Sequence, residues 1–396
     1  MPTAKTSHHD SRGQRWLWWP LLPLYPYQRR RTLIRELVPG RIWCFEQLHG
    51  VWYVAVPIRM TVVKVDGGLL LYAPVPPTRE VVDHLQRLEQ QHGPVLSIVL
   101  PTASGLEHKI PVPAMARAFP AASVWITEKQ WSFPLQLPQS WLGFPASRTR
   151  VLMRDGLPHA EQLSWIPLGP IDLGLGPFLE LACLDQATGS LLVTDALVVI
   201  PQEPPALYQL DPTPLLFHAR DCGADSLVDT QEQRQRGWKR IVLFANFFRP
   251  MAVEVPGFSV LLGDILAAKE RSPANHFGFF PFRWASDWEL AADALIASGQ
   301  QVGGCSLAPV LERLVFARSR DRYVAWLRRL ANAGTITRLI PAHYEAPLLL
   351  ASSQLATLAE SIEQGPWAPS HDSWQLLASI DHALVAAGIV PADCGG

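Results

Sequence analysis

The apolar positions of this chain change their period several times, and each change marks a new element. From Arg41 they come in short runs, RIWCFEQ, VWYVAVP, RMTVVKV and GLLLYAP, which predict strands, with Asp66-Gly67-Gly68 joining the last two as a hairpin. The period then lengthens. In PPTREVVDHLQRLEQQHG, Val81, Val82, Leu85 and Leu88 fall at helical spacing between an N-capping Thr78 and a terminating Gly93, which predicts a helix of about three turns or more. VLSIVL follows as a buried strand, and AMARAF and SVWITE predict a short helix and another strand. Beyond a proline-rich, irregular stretch from Phe133 to Pro158, LSWIPL, FLELACLD and SLLVTDALVVI predict three strands, the last two paired through Ala187-Thr188-Gly189. A second proline-rich bridge, Pro201 to Pro214, opens an irregular region that reaches about Gly304, with helices expected near Leu261 to Lys269 and Trp284 to Ser298. The chain then gives a helix, DRYVAWLRRLANAG, stopped by Gly334, a strand, ITRLIPAH, ending on His343, and a helix, SSQLATLAESIEQ. No internal repeat of fixed period is present.

Composition narrows the picture. At 396 residues and 48% hydrophobic, the chain suits one enlarged α/β domain with appendages. Its net charge of -1, from 34 basic and 35 acidic residues, offers no global attraction for nucleic acid or an anionic membrane, so no nucleic-acid partner is expected. Cys44, Cys183, Cys222, Cys305 and Cys394 are scattered and form no Cys-x-x-Cys pair, which argues against a disulfide framework or a thiolate zinc knuckle. No run is long and apolar enough for a membrane helix, and WLWWPLLPLYPY lacks the layout of a signal peptide because its basic residues follow the apolar part. A soluble, cytoplasmic protein is expected. The polar start, MPTAKTSHHDSRGQR, reads as a disordered tail. Trp16, Trp18 and Trp19, mixed with prolines and followed by Arg29, Arg30 and Arg31, read as an extended arm covering one face of a sheet; contact with a membrane surface is the lesser reading, since proline prevents an amphipathic helix.

Three predicted strands end in groups that could hold a metal. SIVLP leads into TASGLEHK, with Glu107 and His108 side by side; SLLVT leads to Asp195; TRLIP leads to His343. In open α/β sheets, ligand sites gather at the carboxyl ends of strands, so two imidazoles and two carboxylates from distant parts of the chain could converge. Taken one at a time, each has a plainer reading. Glu107 could be a solvated loop carboxylate, His108 a helix-entry residue satisfied by backbone, Asp195 a cap, and His343 the partner of Glu345.

The order of these motifs resembles the metallo-β-lactamase fold superfamily, and within it an uncharacterised domain-of-unknown-function family (DUF4336) found mainly in photosynthetic organisms. The superfamily has a strand ending in Thr-His-x-His-x-Asp-His where this chain has Thr102-Ala103-Ser104-Gly105-Leu106-Glu107-His108, so Ala103 and Gly105 stand in place of the first two histidines. Its glycine-histidine turn resembles PLGPIDLG, Pro167 to Gly174, which has no histidine. Its bridging aspartate matches Asp195 in VTDALV, and its last histidine matches His343 in IPAHYEAP. The resemblance implies a four-layer αββα sandwich. The missing histidines are those of the first metal, whereas every match belongs to the second. What remains implies one mononuclear site of Glu107, His108, Asp195 and His343, a two-nitrogen, two-oxygen set that suits one Zn²⁺ and could accept Fe²⁺ or Mn²⁺. Glutamate is one methylene longer than aspartate, so Glu107 is expected either as a ligand or as the catalytic group that orients or deprotonates water.

The expected organisation is therefore a disordered tail and proline/aromatic arm over residues 1–40, a first half of the sandwich over 41–200, a family-specific insertion over 201–304, and a second half with a C-terminal tail over 305–396. As an enzyme it would be a metal-dependent hydrolase acting on an ester, thioester or phosphoester. The alternative is a metal-free binding or scaffold protein whose insertion forms a partner surface. Other motifs carry less. GLGPFL, Gly174 to Leu179, lacks the third glycine of a dinucleotide-binding loop, and no nucleophile elbow or phosphate-binding Gly-Lys-Ser/Thr sequence occurs. In FHARD, His218 and Asp221 could be catalytic but read better as a surface turn. The basic run around Arg318, Arg320, Arg322, Arg328 and Arg329 reads as a solvated helix face behind a core stripe of Tyr323, Trp326, Leu327 and Leu330.

Overall fold

The computed structural model describes residues 24–391 except 28, 131–136, 175, 249, 301–302 and 365–371. The tail, Trp16, Trp18, Trp19 and Cys394 lie outside the described residues. An eight-stranded sheet runs in the order β1 (Leu24–Tyr25), β3 (Ile42–Val51), β4 (Val54–Val65), β5 (Gly68–Tyr72), β6 (Val95–Leu100), β7 (Ser123–Ile126) and β8 (Thr149–Val151), with β2 (Leu33–Val38) on the other part of β3's edge. The first strands are antiparallel and β5 to β8 are parallel. A five-stranded sheet faces it: β9 (Leu163–Asp172), β10 (Pro177–Asp185) and β11 (Ser190–Val193) form a meander, β14 (Arg338–Pro341) joins β11 in parallel, and β15 (Leu348–Leu349) closes the edge.

Three apolar layers hold these sheets. Between them, Val63, Leu70, Tyr72 and Val99 meet Leu181, Cys183 and Leu192. On the outer face of the first sheet, α1 (Arg79–His92) and α3 (Val112–Ala118) press Val81, Leu85 and Met115 onto Phe45, Met60 and Leu71. On the outer face of the second, α9 (Arg320–Ala331) and α10 (Ser352–Gln364) bring Tyr323, Trp326, Leu327 and Leu355 onto Ile166, Ala182 and Leu191. The result is the αββα sandwich. Strands with both faces covered read as unbroken apolar runs, which is why GLLLY and VLSIVL show no alternation. Each such side chain, fully buried, contributes roughly 1.5–3 kcal/mol. Helix α1 begins where Thr78 accepts from the Val81 N–H at 3.4 Å and stops at Gly93, whose φ is +96°. A Cβ there would also stand 2.8 Å from the Gly67 carbonyl oxygen, so two constraints ask for glycine.

Two expectations need correction. VWYVAVP and RMTVVKV are not separate strands: both belong to β4, and the turn falls earlier, at Trp52 and Tyr53, which take φ of 51° and 62° without a glycine. The region 201–304 is far more helical than it reads. It contains α4 (Thr213–Ala219), α5 (Gln231–Phe247), α6 (Phe258–Ala267) and α7 (Trp288–Gln300), with a small ribbon of β12 (Val253–Glu254) and β13 (Arg283–Trp284). Helix α5 has no apolar stripe because Trp238, Arg240, Ile241, Val242 and Leu243 are all buried, so its pattern lacks helical period. This region packs on the β3–β4 end of the first sheet through Leu48, Tyr53 and Ala55. Two short helices remain on the main body: α2 (Leu106–Lys109), and α8 (Pro309–Leu314), against which α11 (Asp372–Ala386) packs. Among the described residues no helix is long and apolar enough to cross a membrane.

Candidate metal centre

The loops after β6, β11 and β14 meet at one edge of the sandwich. Atoms of Glu107, His108 and His343 able to ligate a metal lie within 4.8 Å of one another. Asp195 Oδ1 is 2.9 Å from His343 Nε2, and Glu107 Oε1 is 3.6 Å from the same nitrogen. All four residues singled out in the sequence are therefore brought together. The pocket is open on one side: the side chains of His343, Asp195 and Glu107 keep 14%, 16% and 18% exposure, whereas His108 is fully buried.

Each group has its own anchor. His108 lies in α2, and the Pro74 carbonyl accepts from its Nδ1 at 3.1 Å. That leaves Nε2 as the lone-pair nitrogen, and Nε2 is buried without a hydrogen-bond partner. Asp195 sits in a turn whose backbone is clamped by Glu180. One Glu180 oxygen accepts from the Thr194 N–H at 2.7 Å and the other from the Asp195 and Ala196 N–H groups, both at 2.9 Å. Burial and the Asp195 carboxylate push the Glu180 carboxyl up to about 7, against the pull of those three donors. His343 bridges to Ile58 of β4. Next to it, Arg59 donates to the Tyr344 carbonyl at 2.7 Å and to that of Pro341, and its Nε pairs with Glu46 at 2.9 Å. Arg35 shares Glu46 and holds the Ala346 carbonyl at 2.8 Å. Tyr344 takes a φ of 57°, a conformation kept because Arg59, the Val199 bridge and the Asn246–Tyr344 hydroxyl contact at 3.2 Å fix it on several sides.

The loop from β6 into α2 is tied to both sheets. Ala103 N–H donates to Leu179 O at 2.9 Å, Gln130 donates to Thr102 O at 3.1 Å, and the buried Lys109 ammonium donates to Ala103 O at 2.8 Å. Burial lowers that ammonium to about 8. Gly105 leaves room here: a Cβ would stand 2.8 Å from Glu107 Oε1 and 2.9 Å from Thr102 Cγ2, so those side chains would have to shift. The Glu107 carboxylate thus folds back over the glycine.

Charge in the pocket is finely divided. Burial alone would depress the His343 imidazole, but its bond to the Asp195 carboxylate and the nearby Glu107 carboxylate raise it to about 10. Burial works against an ionised Glu107, yet the nearby His343 and His108 imidazoles hold its carboxyl well below the usual carboxylate range. Burial lowers His108 and keeps it neutral. The plainer alternative for His343, pairing with Glu345, does not form; Glu345 turns toward Arg35. Sequence reasoning missed Glu180, the Arg59–Glu46 pair and His49. His49 lies on β3 two positions beyond Gln47, which holds the Pro76 carbonyl at 3.0 Å, and its buried Nδ1 has no partner. Burial, then Arg30, lowers its imidazole to about 3, and it feels Glu107, His108 and His343. A lone carboxylate in the apolar run PFLELACL was a signal for Glu180; nothing in the sequence pointed to His49. His218 and Asp221 were read as a surface turn, but His218 is fully buried on α4 among Phe217, Phe244 and Phe282, away from the four residues.

No curated protein matches the chain. Among solved structures, the DIM-1 metallo-β-lactamase exposed to ceftazidime is similar over 83% of this chain and 97% of its own, at 10% identity and a TM-score of 0.38. TMB-1 is similar over the same shares at 9% identity and a TM-score of 0.37, and a metallo-β-lactamase from Hirschia baltica over 46% and 77% at 11% and 0.30. Over an αββα sandwich, the family described as Domain of unknown function (DUF4336) matches residues 39–360, most of the chain, and this protein belongs to that family.

Proposed function

We propose that the chain is a metal-dependent hydrolase that holds one divalent ion through His108, Asp195 and His343, with Glu107 as ligand or as the group that handles water. His108 carries this reading. A metal-ligating histidine usually donates its other ring N–H to a carbonyl or carboxylate, and here Nδ1 is bound to Pro74 while Nε2 is buried, unpartnered and within reach of two further ligand groups. Two nitrogens and two carboxylates suit Zn²⁺, with Fe²⁺ and Mn²⁺ also compatible. A bound ion would supply Lewis acidity toward the acyl or phosphoryl oxygen of an ester, thioester or phosphoester. The chain's own groups do the remaining work. Glu180 and Arg59 hold the Asp195 and His343 loops in register, and Glu107, ionised and partly exposed, accepts a hydrogen bond from the attacking water and sets its direction. In the same reading, residues 201–304 are an insertion between the two halves of the sandwich.

Elemental analysis of the purified chain beside Glu107→Ala, His108→Ala and His343→Ala tests the proposal. About one metal per chain in the parent, absent from His343→Ala, is the expected outcome. Unchanged metal content in that variant, or no metal in the parent even after reconstitution, would refute it. A second reading, a metal-free scaffold that uses residues 201–304 as a partner surface, is favoured by one observation: α6 exposes Phe258, Leu262 and Leu266. A reconstituted parent without metal leaves that reading in place.

A further inference from the structure

Helix α6 is built inside out. Its one charged residue, Asp264, turns inward, accepting from the Gly223 N–H at 3.1 Å and pairing with Arg283. Its apolar residues turn outward instead. Phe258, Leu262 and Leu266, at i, i+4 and i+8, stand 80%, 45% and 68% exposed, and Leu261 is the helix's one buried residue. Val255, just before the helix, and Phe277, on the turn whose Gly278 touches Ile265 and Ala268, extend the surface at 58% and 56% exposure. Single apolar side chains at a protein surface need no explanation, but a stripe of them on one helix face marks a contact.

The charges at the end of the stripe say what kind. Lys269 and Arg271 are exposed just beyond the last turn, with one acid, Glu270, between them. Arg271 is held there by the Ile265 and Leu266 carbonyls, at 2.9 and 3.2 Å, and neither cation makes an ion pair among the described residues. A protein partner would ask for about one hydrogen bond per 100–200 Å² of contact, and apart from Ser259 the outward face has no side chain to supply one. Bulky apolar residues on one face with basic residues at the edge are instead the arrangement of helices that lie in a bilayer interface.

We infer that this face of α6 binds a lipid surface, with Phe258, Leu262 and Leu266 in the acyl boundary and Lys269 and Arg271 against anionic headgroups. This function is separate from the metal centre and stands whether or not a metal is bound.

The test is co-sedimentation of the full chain with phosphatidylcholine vesicles, alone and mixed with phosphatidylglycerol. The parent is expected to sediment with the mixed vesicles, less so as salt rises. The triple variant Phe258→Ser, Leu262→Gln, Leu266→Gln should bind at least about tenfold more weakly. Should the triple variant fail to fold, Leu266→Gln alone is expected to weaken binding about threefold or more. Lys269→Gln with Arg271→Gln should remove most of the preference for anionic vesicles. Three results would overturn the inference: a parent that stays in the supernatant with both vesicle types, folded variants that bind as the parent does, or light scattering that shows a dimer which the triple variant makes monomeric. The last would assign the stripe to a second copy of the chain.

Discussion

Replacing Arg59 by methionine probes how firmly the fold holds the His343 loop. Arg59 is 1% exposed, and its guanidinium reaches Glu46, Pro341 O and Tyr344 O at once. Methionine fills similar volume but makes none of these bonds. Two buried carbonyls then lose a charged donor, at about 1–3 kcal/mol each. Glu46, itself 2% exposed, keeps Arg35 but loses its buried partner. Breaking a buried pair from one side costs about 3–5 kcal/mol; Arg35 remains, so only part of that adds to the carbonyl losses, and a total of at least about 4 kcal/mol is expected. Urea denaturation measures that total directly. In a double-mutant cycle with Glu46→Gln, the coupling should exceed about 1 kcal/mol, because the two residues share one network. The loss should also be local. The Ala342 and Glu345 N–H groups donate to Val193 and Val199 at 2.9 and 3.1 Å, and their hydrogen exchange should accelerate more than that of the β9–β10 meander. A variant within about 1 kcal/mol of the parent, with unchanged exchange at Ala342 and Glu345, would show that Arg59 does not position the loop.

Glu180→Gln leaves one oxygen to serve three amides, so hydrogen exchange at Thr194, Asp195 and Ala196 should quicken and metal content should fall; unchanged exchange would remove Glu180 from the site's support. Burial, reinforced by Arg240 and Arg220, depresses His218 to about 3, so it is neutral in the fold but takes up a proton near its ordinary value once unfolded. Stability should therefore fall as pH drops from about 6.5 toward 3, by up to about 1.4 kcal/mol per unit from this group. His218→Leu should flatten that part of the urea-denaturation profile, and parallel profiles for parent and variant would contradict the assignment. Chelation should leave the chain folded by circular dichroism, because the anchors of His108, Asp195 and His343 are all protein groups. A metal at a thousandfold its dissociation constant would add only about 4 kcal/mol. A chain that unfolds in chelator would mean that the metal, not these anchors, organises the edge.

The period of the apolar residues made most of the sandwich legible. Thr78, Gly93 and the stripe of Tyr323, Trp326, Leu327 and Leu330 place α1 and α9 close to where they fold, since one face of each meets a sheet and the other meets water. Helix α5 escaped because it is wrapped by Leu215, Phe280, Trp288 and Tyr344 and needs no polar face. The β3–β4 turn escaped because Trp52 and Tyr53 take positive φ without glycine, supported by stacking of Tyr53 on Phe217 at 4.1 Å and a tilted contact of Trp52 with Phe279 at 5.3 Å. The convergence of Glu107, His108, Asp195 and His343 was readable from strand ends alone. Their supports were not. Pro74 acts through a carbonyl, Glu180 through three backbone amides and Arg59 through two carbonyls, and contacts to backbone leave no pairing of residue types to find in one sequence.

Those supports are independent of one another. His108 hangs on Pro74, Asp195 on Glu180 and His343 on Ile58 and Arg59, three anchorages with no side chain in common. None passes through the side chains at positions 103 or 105. The space around those two positions is filled. Ala103 is fully buried with its N–H on Leu179 O, and the Glu107 carboxylate lies where any Cβ at Gly105 would press on it. Histidines placed at 103 and 105 would therefore meet closed packing at the first and the Glu107 carboxylate at the second. Gly105 and Glu107 fit each other: the glycine leaves room for the carboxylate, which comes within 3.6 Å of His343 and links the loop after β6 to the loop after β14.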